Sequence, residues 1–183
     1  MGDTWMTLWE HLEPVSQSPL DGGEAVDMVM HLSTGMGGFE GELPALGVWR
    51  NVIYAADYLG SRRVDVSSLL GVYERVYERI QVVELYPAHG DAHPGNMLPS
   101  ATGWRWTDFE DASLMPPYWD LASFVANHLL FEGRLHATVQ AALAHVPIAS
   151  RGMFQLALEA RVVMAPMTNL ALALEGHGDR AFA

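Results

Sequence analysis

Two short segments hold the residues whose types and spacing could do chemistry. The first is His89-Gly90-Asp91-Ala92-His93-Pro94-Gly95-Asn96 and the second is Thr107-Asp108-Phe109-Glu110. Asp91 precedes Asn96 by five residues in a stretch rich in loop formers, and Asp108 ends what reads as the return strand of a hairpin. Paired strands lie about 4.8 Å apart, so this hairpin would bring Asn96 and Asp108 side by side. Two hard oxygen ligands at that separation suit Mg²⁺, which keeps several waters and takes phosphate oxygens for the rest. Asp91, one loop away, is then placed to accept a proton from an attacking hydroxyl. A base, a metal pair and a loop that fixes both are the parts of a phosphoryl-transfer site. The alternative chemistry is a transition-metal site using Asp91 and His93, although their order and spacing fit no zinc signature.

The strings HGDAHPGN, WTDFEDA and PPYWDLA resemble those of the aminoglycoside phosphotransferase and choline kinase superfamily. The resemblance implies a protein-kinase-like fold and transfer of the ATP γ-phosphoryl group to a hydroxyl of a small molecule. It implies that Asp91 is the catalytic base, that Asn96 and Asp108 hold Mg²⁺, and that His89 orients the loop. Asp120 would be a buried aspartate bracing that loop through backbone N–H groups. Thr7-Leu8-Trp9-Glu10 resembles the strand and hinge bordering the adenine site, which makes Leu8, Trp9 and Glu10 the border of the nucleotide pocket. In this family a preceding lobe supplies a phosphate-covering loop and a lysine. The chain has ten arginines and no lysine, so the expectation is a C-terminal lobe alone, with the N-lobe absent. Such a chain should bind ATP weakly and turn over little by itself. Of the ten arginines, none but Arg105 is expected near the motif. The competing function is a non-catalytic lobe that serves as a binding or assembly module, with a homodimer formed through the uncovered N-lobe face.

The elements that must position these residues read as mainly helical. Asp21 can cap a helix running to about Ser33, followed by a loop at Gly35, Gly37, Gly38 and Gly41. A second helix spans about 46–59, and Asp65 caps a third. In that third helix Leu69, Val72, Tyr73, Val76, Tyr77, Ile80 and Val83 recur at helical spacing and read as core. Pro87 breaks the pattern, and residues 88–95 read as loop. Residues 96–98 and 104–109 form the hairpin, with its turn at 99–103. Helices follow to about Phe131, over 135–144, and over 150–174, where Pro166 should kink the last. The expected fold is therefore mainly α with a small β-hairpin, one domain over 1–183, with a hinge-like start at about 4–12 and a catalytic hairpin at 88–110.

Composition narrows the function classes. The chain has 183 residues, 50 % of them hydrophobic and 17 % charged, which suits a folded domain with a sizeable core. With no cysteine, disulfides, thiol catalysis and Cys-ligated zinc are excluded. A net charge of −12 argues against nucleic acid as a partner. Residues 1–50 hold eight carboxylates against Arg50 alone, a face that solubilises the chain or steers a cationic substrate. No apolar run reads as reaching the roughly 18 residues of a membrane span, and Asp3 without an early arginine does not suit a signal peptide. These features fit a cytoplasmic protein.

Overall fold

The computed structural model describes residues 11, 13, 15, 16, 18, 20–62, 65–132 and 136–176. Residues 8–10, assigned above to the nucleotide-pocket border, lie outside the described residues. The first helix, α1 (Gly22–Gly37), opens on a capping box: Asp21 Oδ1 accepts from the Gly23 and Glu24 N–H groups at 2.8 Å, and Glu24 Oε2 accepts from Asp21 N–H at 3.1 Å. It runs past Ser33 through Gly35 and Gly37, both expected in a loop. Its buried stripe of Val26, Val29, Leu32 and Met36 keeps the helical period for one more turn.

Helix α2 (Trp49–Gly60) starts three residues later than its pattern suggested. Leu46 adopts φ 50°, and its N–H donates to Leu114 O at 2.8 Å, so this stretch pairs with a strand instead of winding. In α3 (Ser67–Ile80), Asp65 Oδ1 accepts from Ser67 N–H at 3.3 Å and Oγ–H at 2.8 Å. Only part of the tyrosine stripe is core. Val76 and Ile80 are buried, Tyr73 stacks on Trp49 at 5.9 Å, and Tyr77 is 37 % exposed.

Two small antiparallel sheets follow where one hairpin was expected. Strand β1 (Tyr86–Ala88) pairs with β4 (Ser113–Met115), with Tyr86 opposite Met115 and Ala88 opposite Ser113. Pro87 fits here because its partner Leu114 directs its N–H to Pro44 O and its carbonyl to Leu46 N–H, so no donor is needed from Pro87. The hairpin itself is β2 (Met97–Ser100) and β3 (Gly103–Trp106), joined by Ala101-Thr102 alone, with Gly103 at φ 112°. Both strands are displaced by a residue or more from the expected ranges, because Asn96 closes a 3-10 turn (Pro94–Asn96) before the ladder begins.

Helix α4 (Trp119–Asn127) ends earlier than expected and gives way to a wider helical turn over His128–Glu132. Helix α5 (His136–His145) packs on α1. The 25-residue α6 (Arg151–Glu175) is the central element, in contact with α2, α3 and α4. It runs as one helix through Pro166, and Thr168 Oγ–H donates to Met164 O at 2.9 Å on the following turn. With the turn before it, Ile148–Glu175 is long and apolar enough by composition to cross a membrane, which corrects the sequence expectation. Its Phe154, Leu156, Ala160, Val163 and Met167 are buried among the other helices, as in the core helix of a globular fold.

Candidate functional site

The two sheets converge on the loop that leaves β1. At Gly90, φ is 91°, and a Cβ there would lie 2.1 Å from Asp111 O and 2.9 Å from a Val48 methyl. Only glycine satisfies both the conformation and the space. His89 is buried. Its Nδ1 accepts from Asp91 N–H at 3.4 Å, and its Nε2 lies 2.8 Å from Thr107 O. A carbonyl can only accept, so Nε2 carries the proton, and the ring ties the loop to the end of β3. The Phe109 ring packs on it at 4.5 Å.

Asp120, in the first turn of α4, is 2 % exposed, and its two carboxylate oxygens accept the His89 and Gly90 N–H groups at 3.0 and 3.1 Å. Burial pushes its carboxyl upward, against the lowering effect of those two donors. Its neighbour Trp119 donates Nε1–H to Gly90 O at 2.7 Å. The loop is thus held from below by consecutive residues of one helix, as the sequence reading required of Asp120.

Above this base, His93 caps the Pro94–Asn96 turn, its Nδ1 accepting from Gly95 N–H at 3.0 Å. Asn96 is buried and donates Nδ2–H to Asp91 O at 3.0 Å, which leaves its Oδ1 available as an acceptor. Thr107, not Asp108, is the residue across from Asn96, with its N–H on Asn96 O at 3.0 Å. Asp108 follows, exposed and left-handed at φ 63°, and opens a second 3-10 turn, Phe109–Asp111. Among the described residues no group of three or more His, Asp or Glu side chains is disposed to hold a metal. Asn96 and Asp108 as a pair need phosphate and water oxygens to complete a shell, which fits Mg²⁺ and does not fit a closed transition-metal site.

The expectation that Arg105 was the only arginine near the motif is wrong. Arg161, from the middle of α6, donates Nη2–H to Asp91 Oδ1 at 2.7 Å. His93 Nε2 faces the other oxygen, Oδ2, at 3.4 Å. Burial works to raise the Asp91 carboxyl, but His93 and Arg161 outweigh it and hold it at about 2. Asp111 is shifted the other way, by burial first and by Asp91 and Asp108 after it. No local signal in the sequence marks Arg161, which lies 70 positions from its partner.

Two clefts carry these carboxylates. Asp91, His93, Asp111 and Arg161 line a cavity of about 710 Å³ between α2 and α6, which also exposes Asn51 and Tyr54. Asp108 lines a separate cleft of about 1110 Å³ over the hairpin, with Leu98, Ser100, Arg105 and Trp106.

Residues 75–155 match the model of the Phosphotransferase enzyme family (APH). Among solved structures, a choline/ethanolamine kinase family protein from Mesorhizobium loti is similar, with TM-score 0.64 and 14 % identity, over 84 % of this chain and 55 % of that one. Choline kinase LicA from Streptococcus pneumoniae aligns with TM-score 0.61 and 13 % identity, over 88 % of this chain and 58 % of that one. LicA in complex with AMP gives TM-score 0.61 and 13 % identity, over 89 % and 56 %. No curated protein matches the chain. The chain spans a little over half the length of these solved structures, and identities this low speak for the fold. The family match falls on the segment that carries His89, Asp91, Asn96, Asp108 and Asp120, within a mainly helical fold similar to that of these kinases.

Proposed function

We propose that this chain is the acceptor-binding part of an ATP-dependent small-molecule O-phosphotransferase, with Asp91 as the base. The observation that carries the reading is the placement of two carboxylates on two separate clefts: Asp91 on the cavity between α2 and α6, Asp108 on the hairpin face. A phosphoryl transfer needs an acceptor on one side and a nucleotide on the other, with a base at the acceptor and a cation site at the phosphates. Asn96 and Asp108 would hold Mg²⁺, which would neutralise charge on the phosphate oxygens. Asp91, kept ionised, receives the proton of the acceptor's hydroxyl. His89 and Asp120 hold the loop and touch no substrate.

The acceptor is read as a small hydroxylated molecule. Its cavity offers Asn51, Thr168 and Asn169 for hydroxyl groups and Asp111 and Glu175 for a cationic group. Among the described residues, the phenol of Tyr54 and the imidazole of His93 are the rings that line it. With no lysine to set against the phosphates and a net charge of −12, this chain by itself should bind Mg-ATP no better than about millimolar. The test is isothermal titration with Mg-ATP, then a coupled assay against polyhydroxylated amines. Transfer abolished by Asp91→Asn supports the reading. Transfer that survives Asp91→Asn overturns it.

A further inference from the structure

Arg161 lies outside the segment that matches the family model. Its side chain is only 12 % exposed, and its guanidinium sits over the Trp119 ring at 5.8 Å while Nη2 reaches Asp91 Oδ1 at 2.7 Å. Trp119 is itself fixed by its bond to Gly90 O at 2.7 Å. The cation is therefore anchored to the same loop that it holds. Burial, the ring face and the rigid middle of α6 leave it little freedom to follow a turning carboxylate.

The two oxygens of Asp91 consequently differ. Oδ1 is taken by a charge-assisted hydrogen bond of full strength. Among the described residues, Oδ2 faces only His93 Nε2, at 3.4 Å, outside the usual range for a good N–H···O bond. His93 Nδ1 is occupied as an acceptor by Gly95 N–H, so Nε2 is the protonated nitrogen and the contact is a weak donor that an incoming hydroxyl can displace.

We propose that Arg161 is the positioning residue of the transfer step, locking Asp91 so that Oδ2, and not Oδ1, receives the acceptor's hydroxyl. This rests on the reading of Asp91 as the base. In the step, the hydroxyl oxygen forms its bond to the γ-phosphorus and its proton passes to Oδ2. The bond between the γ-phosphorus and the β–γ bridging oxygen breaks, with the electron pair leaving on ADP. Arg161 stays protonated throughout. Its contribution is orientation, and a misplacement of about 1 Å at such a group commonly costs about 100-fold in rate.

The experiment compares the full 183-residue chain with Arg161→Gln, Arg161→Lys and Asp91→Asn, each checked for a cooperative thermal transition. One measurement needs no activity: carbodiimide coupling of glycine ethyl ester to carboxyls, read at Asp91 and Asp120 by peptide mass spectrometry. Coupling at Asp91 should rise several-fold in Arg161→Gln and less in Arg161→Lys, with Asp120 unchanged. Equal coupling at Asp91 in wild type and both variants overturns the proposal whatever the turnover. So does a parallel rise at Asp91 and Asp120, which is what a merely structural anchor would give. The second measurement is Mg-ATP hydrolysis with water as the acceptor, followed by release of radiolabelled γ-phosphate so that the low rate expected of this chain alone is resolved. Arg161→Gln should lower kcat about 100-fold with the KM for Mg-ATP unchanged, and Arg161→Lys should recover part of the loss. If Asp91→Asn abolishes hydrolysis but Arg161→Gln spares kcat, Arg161 is not a positioning residue and the base assignment stands. If Asp91→Asn spares hydrolysis, the base assignment falls and takes this proposal with it.

Discussion

Asp91 and Asp120 are both aspartates of the same loop assembly, and their environments divide the work between them. Asp120 gives both oxygens to backbone N–H groups inside the protein. Asp120→Asn would turn one of those oxygens into an NH₂ facing a buried donor, at a cost of about 1–3 kcal/mol in urea denaturation. Asp91→Asn keeps an oxygen for Arg161 and should cost less, so the order of the two midpoints checks the roles. Asp91→Ala should be the more destabilising change at this position, because it strands the mostly buried guanidinium of Arg161. The pH dependence follows from sign. Asp91 lies at about 2 in the folded chain and near 4 when unfolded, so its contribution is fully present above about pH 4 and is lost as pH falls toward 2. By calorimetry, the gap in Tm between wild type and Asp91→Asn should narrow across that window and be constant above it. These residues were legible because Asp91, Asn96, Asp108 and Asp120 sit in short strings with fixed spacing. Arg161 was not, since a cation in the middle of a long apolar helix looks like a solvent-facing residue until tertiary packing turns it inward.

At the scale of elements, legibility followed the local signals. The capping box at Asp21 and the helical stripes of α1 and α3 carry their own information, and the helices formed where these lie. Pairing between β1 and β4 does not, because the two strands are three residues each and separated by the whole β2–β3 hairpin. Pro87 looked like a breaker, and only the outward bonding of Leu114 explains why a strand tolerates it. The same sheet is what forces the chain at Gly90 into close contact with Asp111 and Val48. Gly90→Ala should therefore do more than strain one φ angle. A methyl at 2.1 Å from Asp111 O must push the Phe109–Asp111 turn away from β1, and Asp108 begins that turn. The expected loss is at least the 1–3 kcal/mol of a left-handed non-glycine residue, read as a lower urea midpoint. Gly103→Ala, at φ 112° but in open space, should cost the strain alone and so be the milder change.

The molecule places a long helix, buried along one face, behind one cleft and a two-stranded hairpin against the other. This arrangement predicts that metal and acceptor report on different surfaces. Mn²⁺ can replace Mg²⁺ at oxygen ligands and broadens NMR signals of nearby amides. If Asn96 and Asp108 are the ligands, titration should broaden amides of the 3-10 turn at 94–96 and of residues 107–111 first. Amides of α2 around Tyr54 and of α6 around Glu175, at the far side of the other cavity, should stay sharp. Saturation should require about millimolar metal, because two protein ligands leave most of the shell to water. Adding ATP should tighten the site, since its phosphate oxygens fill positions that the protein leaves to solvent. Asp108→Ala should remove the broadening while leaving the fold intact, as Asp108 is exposed and caps nothing. Broadening centred on Asp91, Asp111 and Glu175, and unaffected by Asp108→Ala, would put the cation in the acceptor cavity and reverse the assignment of the two clefts.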